Sequence, residues 1–258
     1  MLRYALISET GDRTLNEDAI RVASVANKHC FIVCDGLGGH DRGDVAARMA
    51  ANTFADELCF ADNLADFLPH AFNQAQRKIV EKQKESQVKS KMKTTAVVLA
   101  TDGKMAYVGH IGDSRFYGFA KGGQYIRTLD HSIPQILVNS QTIRENEIRN
   151  HPSRNMLLKV IGEQYDETMS DLLEPFSLND YYAFLLCSDG FWELICEEEM
   201  IKLLQDSSSP QEWLDSMLEV VRHNGENVKM DNYSAIAIFN TYTNRSTQRN
   251  NPKRMCTL

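Results

Sequence analysis

The chain has 258 residues, 43% of them hydrophobic and 24% charged, which suits one large globular domain or two small ones with a real core. Its formal charge of −7 argues against non-specific attraction to nucleic acid or an anionic membrane, and no apolar run is long enough to span a bilayer. The six cysteines (Cys30, Cys34, Cys59, Cys187, Cys196 and Cys256) form no CxxC pair and sit mostly in apolar runs, so a reduced, cytoplasmic setting is expected.

At the amino end Arg3, Glu9 and Asp12 interrupt any stretch that resembles a signal peptide. RYALIS (Arg3–Ser8), AIRVASVA (Ala19–Ala26) and HCFIVC (His29–Cys34) read as strands, with Ala26-Asn27-Lys28 as a hairpin turn. Two helices follow. The first, Asp44–Phe60, is rich in alanine and opens on an aspartate able to cap it. The second, Leu64–Gln83, keeps helical spacing through Phe67, Ala71, Ala75 and Ile79 despite Pro69. Thr94–Leu129 reads as an antiparallel meander turning at Asp102-Gly103, Gly112-Asp113 and Gly122-Gly123, which places Asp113 at a hairpin tip. Ser132–Arg154 is polar and mixed, a helical excursion over one face. Tyr181–Cys187 is another strand, and helices over Glu197–Gln205 and Gln211–His223 precede a last strand, Ser234–Asn240. From Thr241 the chain is polar, carries Arg245, Arg249, Lys253 and Arg254 but no acid, and reads as a disordered tail. Strands come in blocks and helices in pairs, which predicts an α+β fold with antiparallel sheets.

Acids stand at the edges of strands in several places. NEDAI holds Glu17 and Asp18, VCDGLGG holds Asp35, LCSDGFWE holds Asp189, MDNYSAI holds Asp231, and GHIGDSR adds Asp113. A lone Asp-Gly is ordinarily a turn, and Asp102-Gly103 reads as nothing more. Asp35 and Asp189 differ because they follow FIVC and FLLC, runs apolar enough to be central strands. A carboxylate there is partly desolvated and needs a cation or strong donors to stay charged. Several converging would repel by several kcal/mol at an effective dielectric of about 20 unless divalent ions lie between them. An oxygen-only donor set selects Mg²⁺ or Mn²⁺ over Zn²⁺. Gly36, lacking a side chain, would let its own carbonyl approach such an ion.

RTLNED, DGLGGH, TTAVVLA, GHIGDSR, DHS, LLCSDG and DNYSAI also occur in the order and spacing of the type 2C, metal-dependent serine/threonine protein phosphatases. The chain resembles the bacterial branch of that family over roughly its first 240 residues, leaving 241–258 as the tail. The resemblance implies two antiparallel β-sheets in a central sandwich flanked by pairs of α-helices. It implies that Asp35 bridges two Mn²⁺ or Mg²⁺ ions, with Gly36 offering a carbonyl, Asp189 and Asp231 on the first ion and Glu17 on the second. Asp18 would hold the waters of the ions, and Asp113 with Asp189 would bind a weaker third ion. Arg13 stands where the family grips the substrate phosphate; a surface arginine paired with a nearby acid is the plainer alternative.

The implied activity is hydrolysis of phosphoserine and phosphothreonine in proteins by a metal-activated water, opposing a serine/threonine kinase. His40 is a candidate proton donor to the leaving oxygen, or else a histidine capping the following helix. The chain departs from the family at Glu193, where an aspartate near the third ion is usual, at Lys93 before the threonine pair, and at Gln141 in the flap-like Ser132–Arg154. A non-catalytic relative would typically have lost one of the acids. A two-metal nuclease is the other rival, disfavoured by the acidic balance and the lack of a basic stripe. The expected partners are phosphorylated proteins and an opposing kinase, with no nucleic acid and no membrane, and a monomer is expected.

Overall fold

The computed structural model describes residues 1–37, 42–86, 92–163 and 170–241. The chain opens with β1 (Leu2–Glu9), β2 (Ala19–Val25) and β3 (Lys28–Cys34), with Ala26 at φ 55° in the turn between the last two. A two-residue β4 (Gly36–Leu37) follows Asp35, then α1 (Gly43–Glu57) and α2 (Leu64–Glu85). β5 (Lys93–Thr94), paired with β4, leads into β6 (Ala96–Thr101), β7 (Met105–Ile111), β8 (Arg115–Phe119) and β9 (Tyr125–Arg127). The excursion contains α3 (Ile133–Asn139) and a 3₁₀ turn at Glu145–Asn150. Two short strands, β10 (Asp171–Leu172) and β11 (Phe176–Ser177), precede β12 (Ala183–Cys187). The chain then forms α4 (Asp189–Trp192), α5 (Glu197–Asp206), α6 (Pro210–Gly225) and β13 (Tyr233–Asn240). His40, Cys256 and the basic tail beyond Thr241 lie outside the described residues.

One sheet has the order β1-β13-β12-β8-β9 and the other β10-β7-β6-β3-β2, with β11 also on β7; the pairings are antiparallel. Side-chain alternation explains the all-apolar runs. In β3, Cys30, Ile32 and Cys34 face α1 and α2, while Phe31 and Val33 face the opposite sheet. In β13, Ala235 and Ala237 pack with Trp213 and Leu214 of α6, while Ile236 and Ile238 join the inter-sheet layer. A strand covered on both faces has no polar side to show, which is why the run before Asp35 carries no alternation. Among the described residues no helix is long and apolar enough to cross a membrane.

Two expectations change. The meander is not continuous: β7 belongs to one sheet and β8 to the other, so Asp113 lies in a crossover between sheets rather than at a hairpin tip. Gly112 makes the corner at φ +95°, and a Cβ there would stand 2.5 Å from Thr95 Cγ2. Nor does Asp44 cap α1. The helix begins a residue earlier, after Arg42 in a left-handed conformation, and Asp44 sits in the first turn paired with Arg48 at 2.7 Å. Gly43 is drawn into the helix because its backbone packs directly against Gly36.

A polar cluster is buried on the helix side of β8. Arg115 donates to both oxygens of Asp130 at 2.8 and 2.6 Å and to Tyr117 Oη at 3.1 Å, and that hydroxyl donates to Glu197 at 3.0 Å. The Arg115 and Asp130 side chains are each 1% exposed. Burying a guanidinium is tolerable only while its carboxylate stays in place. Asp130→Ala is expected to lower the unfolding free energy by about 3–5 kcal/mol in urea titrations. A loss under about 1 kcal/mol would show that Glu197 alone suffices for Arg115.

Candidate metal centre

Antiparallel pairing sets the exit of one strand beside the entry of its neighbour, and the acids occupy those positions. Glu17 and Asp18 enter β2 where Asp35 leaves β3; Asp231 enters β13 where Asp189 leaves β12. Asp113 arrives on the crossover between the sheets. Glu17, Asp35, Asp113, Asp189 and Asp231 line one cavity of about 140 Å³, with Gly36 and Arg13 also on its wall. A roomier recess of about 280 Å³ lies where α1 passes into α2, lined by Glu57, Phe60 and His70, and holds none of these acids.

Small polar side chains pin the peptides of Asp35 and Glu17 and the carboxylate of Asp18. The Asp35 amide donates to Thr95 Oγ1 at 3.0 Å, and its carbonyl accepts from the Thr95 amide and the Thr94 hydroxyl, each at 2.8 Å. Asn232 accepts from the Glu17 amide at 2.8 Å and donates to the carbonyls of Thr10 and Leu15 at 2.7 and 3.0 Å. Ser188 donates to Asp18 Oδ2 at 2.8 Å while accepting from the Ser234 amide at 2.9 Å, so Asp18 is tied to β13. Gly36 has a reason to be glycine that the sequence did not disclose. A Cβ there would lie 2.4 Å from the Gly43 carbonyl, and one on Gly43 would lie 2.9 Å from Glu17 Oε1.

Burial is the first cause of the carboxyl shifts. It pushes Asp35 and Asp113 well above the usual range, and the neighbouring Asp189 charge pushes both further. Asp189 is raised by burial and by Asp231, and Glu17 by burial and then by Asp44. Asp18 is pushed up to about 7 by burial, against the hydroxyls of Ser234 and Ser188. Asp35 and Asp189 line the same cavity wall, and Arg13 meets Asp231 at 2.5 Å. The side chains are thus drawn onto one another and onto Arg13. Among the described residues no three stand spread as ligands around an ion. The Arg13 guanidinium offsets part of the charge instead.

The donor set nevertheless fits hard divalent cations. Glu17 Oε1, Asp18 Oδ1 and Asp113 Oδ1 are buried with no hydrogen-bond partner, and an unpaired buried oxygen is costly unless a donor or cation meets it. The acids offer only oxygen, the chemistry of Mg²⁺ and Mn²⁺. Arg13, its side chain 46% exposed, stands at the rim, and the acid it pairs with is one of the cluster. Glu193 does not line this cavity. It pairs with Arg154 at 3.0 Å in an adjoining recess of about 330 Å³, and burial followed by the Asp189 charge pushes it up to about 7. Asn155 and Leu157, on the far side of the excursion, also reach the acidic cavity. No local pattern pointed to them, whereas Ser188 and Asn232 were visible as polar neighbours of the acids, and Thr94-Thr95 only as the threonine pair of the family resemblance.

The protein phosphatase 2C family matches residues 8–233 of the chain. Serine/threonine phosphatase stp of Listeria welshimeri is 30% identical over 195 residues, covering 73% of this chain and 77% of that one. Serine/threonine protein phosphatase PstP of Mycobacterium tuberculosis is 31% identical over 212 residues, 80% of this chain and 39% of that longer protein. The crystal structure of serine/threonine phosphatase Stp1 from Staphylococcus aureus is similar at a TM-score of 0.83 and 27% identity, covering 93% of this chain and 95% of that one.

A carboxyl group whose pKa is higher folded than unfolded binds its proton more tightly in the native state. Its stabilisation is therefore complete below the unfolded value, about 4, and lost as pH rises through the folded value. In chelator, the melting temperature is expected to fall as pH rises from about 4 through about 7, where Asp18 gives up its proton. Asp18→Asn should flatten part of that slope in calorimetric melts. A melting temperature that climbs steadily over the same interval would contradict the arrangement.

Proposed function

Since the chain belongs to the protein phosphatase 2C family and is a protein serine/threonine phosphatase, we propose that it hydrolyses phosphoserine and phosphothreonine in proteins in a metal-dependent reaction that reverses a serine/threonine kinase. The observation that carries the metal dependence is the pair of buried, unpartnered carboxylate oxygens of Glu17 and Asp113, two residues that line one cavity with Arg13.

Asp35 would stand between two divalent ions, with the Gly36 carbonyl beside it, Asp189 and Asp231 serving one ion and Glu17 the other. Asp113 with Asp189 would take a weaker third. When bound, such ions supply Lewis acidity and bring the pKa of water towards neutrality. The remaining work belongs to the chain. Thr94 and Thr95 fix the Asp35 peptide, and Asn232 fixes that of Glu17, so the backbone that carries these carboxylates is set in advance. Asp231, once serving an ion, would no longer be committed to Arg13. The guanidinium would then be released to offer parallel N–H donors to the phosphoryl oxygens at the rim. Asp18, anchored by Ser188, would accept from water in the ion shell. The proton for the leaving serine or threonine oxygen is assigned to His40 only as an expectation, since that residue lies outside the described residues.

Activity on a phosphothreonine peptide should require Mn²⁺ or Mg²⁺ and vanish in chelator. Asp35→Asn should abolish turnover while the circular dichroism spectrum stays native; a variant turning over at the wild-type rate would defeat the assignment. A bis(aryl) phosphate diester cleaved faster than the monoester would favour the nuclease-like reading instead. Arg13→Ala should raise KM for the phosphopeptide more than it lowers kcat, as expected of a group that binds substrate and transition state alike. A flat KM would return Arg13 to the role of a surface partner for Asp231.

A further inference from the structure

Trp192 ends α4, three residues after Asp189, and is 1% exposed. A tryptophan in that position is ordinarily core, and its ring does pack with the cluster beneath α5 and α6. Its polar atoms are committed in a more particular way. The indole Nε1–H donates to the backbone carbonyl of Asp113 at 2.9 Å, across a separation of 79 residues. The backbone carbonyl of Trp192 accepts from Arg149 Nε at 3.1 Å, and Arg149 belongs to the 3₁₀ turn of the excursion. The same guanidinium also donates to the Ile195 carbonyl at 3.2 Å and to Glu197 at 2.8 Å. The Arg115 guanidinium lies over the indole ring, its carbon 3.4 Å from the ring centroid, and is itself held by Asp130.

Asp113 needs such a hold. It stands on the crossover between sheets, where no ladder fixes its peptide, immediately after Gly112 at φ +95°. Its Oδ1 is buried and unpartnered, and its carboxyl lies close enough to Asp189 for the two to repel. Asp189 opens the helix that Trp192 closes. One four-residue helix therefore carries a carboxylate at its start and, at its end, the donor that locates the opposing carboxylate.

We infer that Trp192 is a positioning residue: its indole N–H, with the ring held by Arg115 and the backbone by Arg149, sets the place of Asp113 relative to Asp189. The inference rests on the metal-dependent reading above and goes beyond it by naming what adjusts the weaker ion site. The Asp113 carbonyl, once released, would let the crossover relax and draw its carboxylate away from Asp189. The loss would be read in the weakest class of bound ion first, because the remaining ions have their own carboxylates. Substitutions of groups that orient metal ligands typically change metal affinity by about 10- to 100-fold.

The test replaces Trp192 with benzothienylalanine, which keeps the ring shape and exchanges the N–H for sulfur, and with phenylalanine as a second variant. Mn²⁺ binding to the full chain is followed by isothermal titration calorimetry without substrate, alongside thermal melts and phosphopeptide kinetics. The expected result is a weakest Mn²⁺ class displaced by about tenfold or more in both variants. The tighter ions should bind as before and KM for peptide should be unchanged, with kcat recovering at high Mn²⁺. A lowered melting temperature with an isotherm that overlays that of the wild type would make Trp192 a core residue only and overturn the inference. A wild-type protein that binds no Mn²⁺ would instead remove the metal-dependent reading itself, a distinct failure.

Discussion

Asp35 and Asp189 leave strands in different sheets and meet on the wall of one cavity, where the charge of Asp189 raises the buried Asp35 carboxyl further. Asp113 and Asp18 add their charge from positions where burial removes the water that would screen them, and the part-exposed Asp231 adds its own. This enforced gathering of like charge is the constraint to which the rest of the molecule answers. Arg13 offsets part of that repulsion at Asp231, and divalent ions would relieve it by entering the gaps between oxygens. Either way the compensating positive charge has to be mobile, and that mobility is what a hydrolytic site can use.

A cluster that repels itself cannot hold its own shape, so the shape is held from behind. Thr94 and Thr95 clamp the peptide of Asp35, Asn232 clamps that of Glu17, and Ser188 links Asp18 to β13. Gly36 and Gly43 let α1 approach the site so closely that any side chain on either would collide with backbone. The supports are neutral and small, and add no charge to a place that has too much. Where charge is used for support, as with Arg115, Asp130, Glu197 and Arg149, it stands one layer back and is internally matched.

The excursion between β9 and β10 belongs to the site at two levels. Asn155 and Leu157 reach the acidic cavity, and Arg154 pairs with Glu193 in the recess next to it. Arg149 fastens its 3₁₀ turn to the carbonyls of Trp192 and Ile195. A segment with little regular structure is thereby given a defined seat against the helix that starts at Asp189.

Strand identity was legible because strands buried on both faces must be continuously apolar: FIVC and FLLC announced themselves, and so did the acids that terminate them. The pairing of helices followed from helical spacing, whereas the separation of Phe31 from Cys30 onto opposite faces was decided by the packing of β3 between two layers. Asp44 misled because an aspartate near a helix start reads as a cap, while the boundary was decided by the contact of Gly43 with Gly36. Gly112-Asp113 misled because a hairpin and a crossover between sheets use the same turn residues. The sequence by itself determined which residues could bear the chemistry, since charge, size and hydrophobic pattern are properties of single positions and near neighbours. Only the tertiary structure decided that acids separated by more than two hundred residues would share one cavity, and that Trp192 would reach the Asp113 carbonyl. Those distances depend on sheet order and register, which no local stretch of chain encodes.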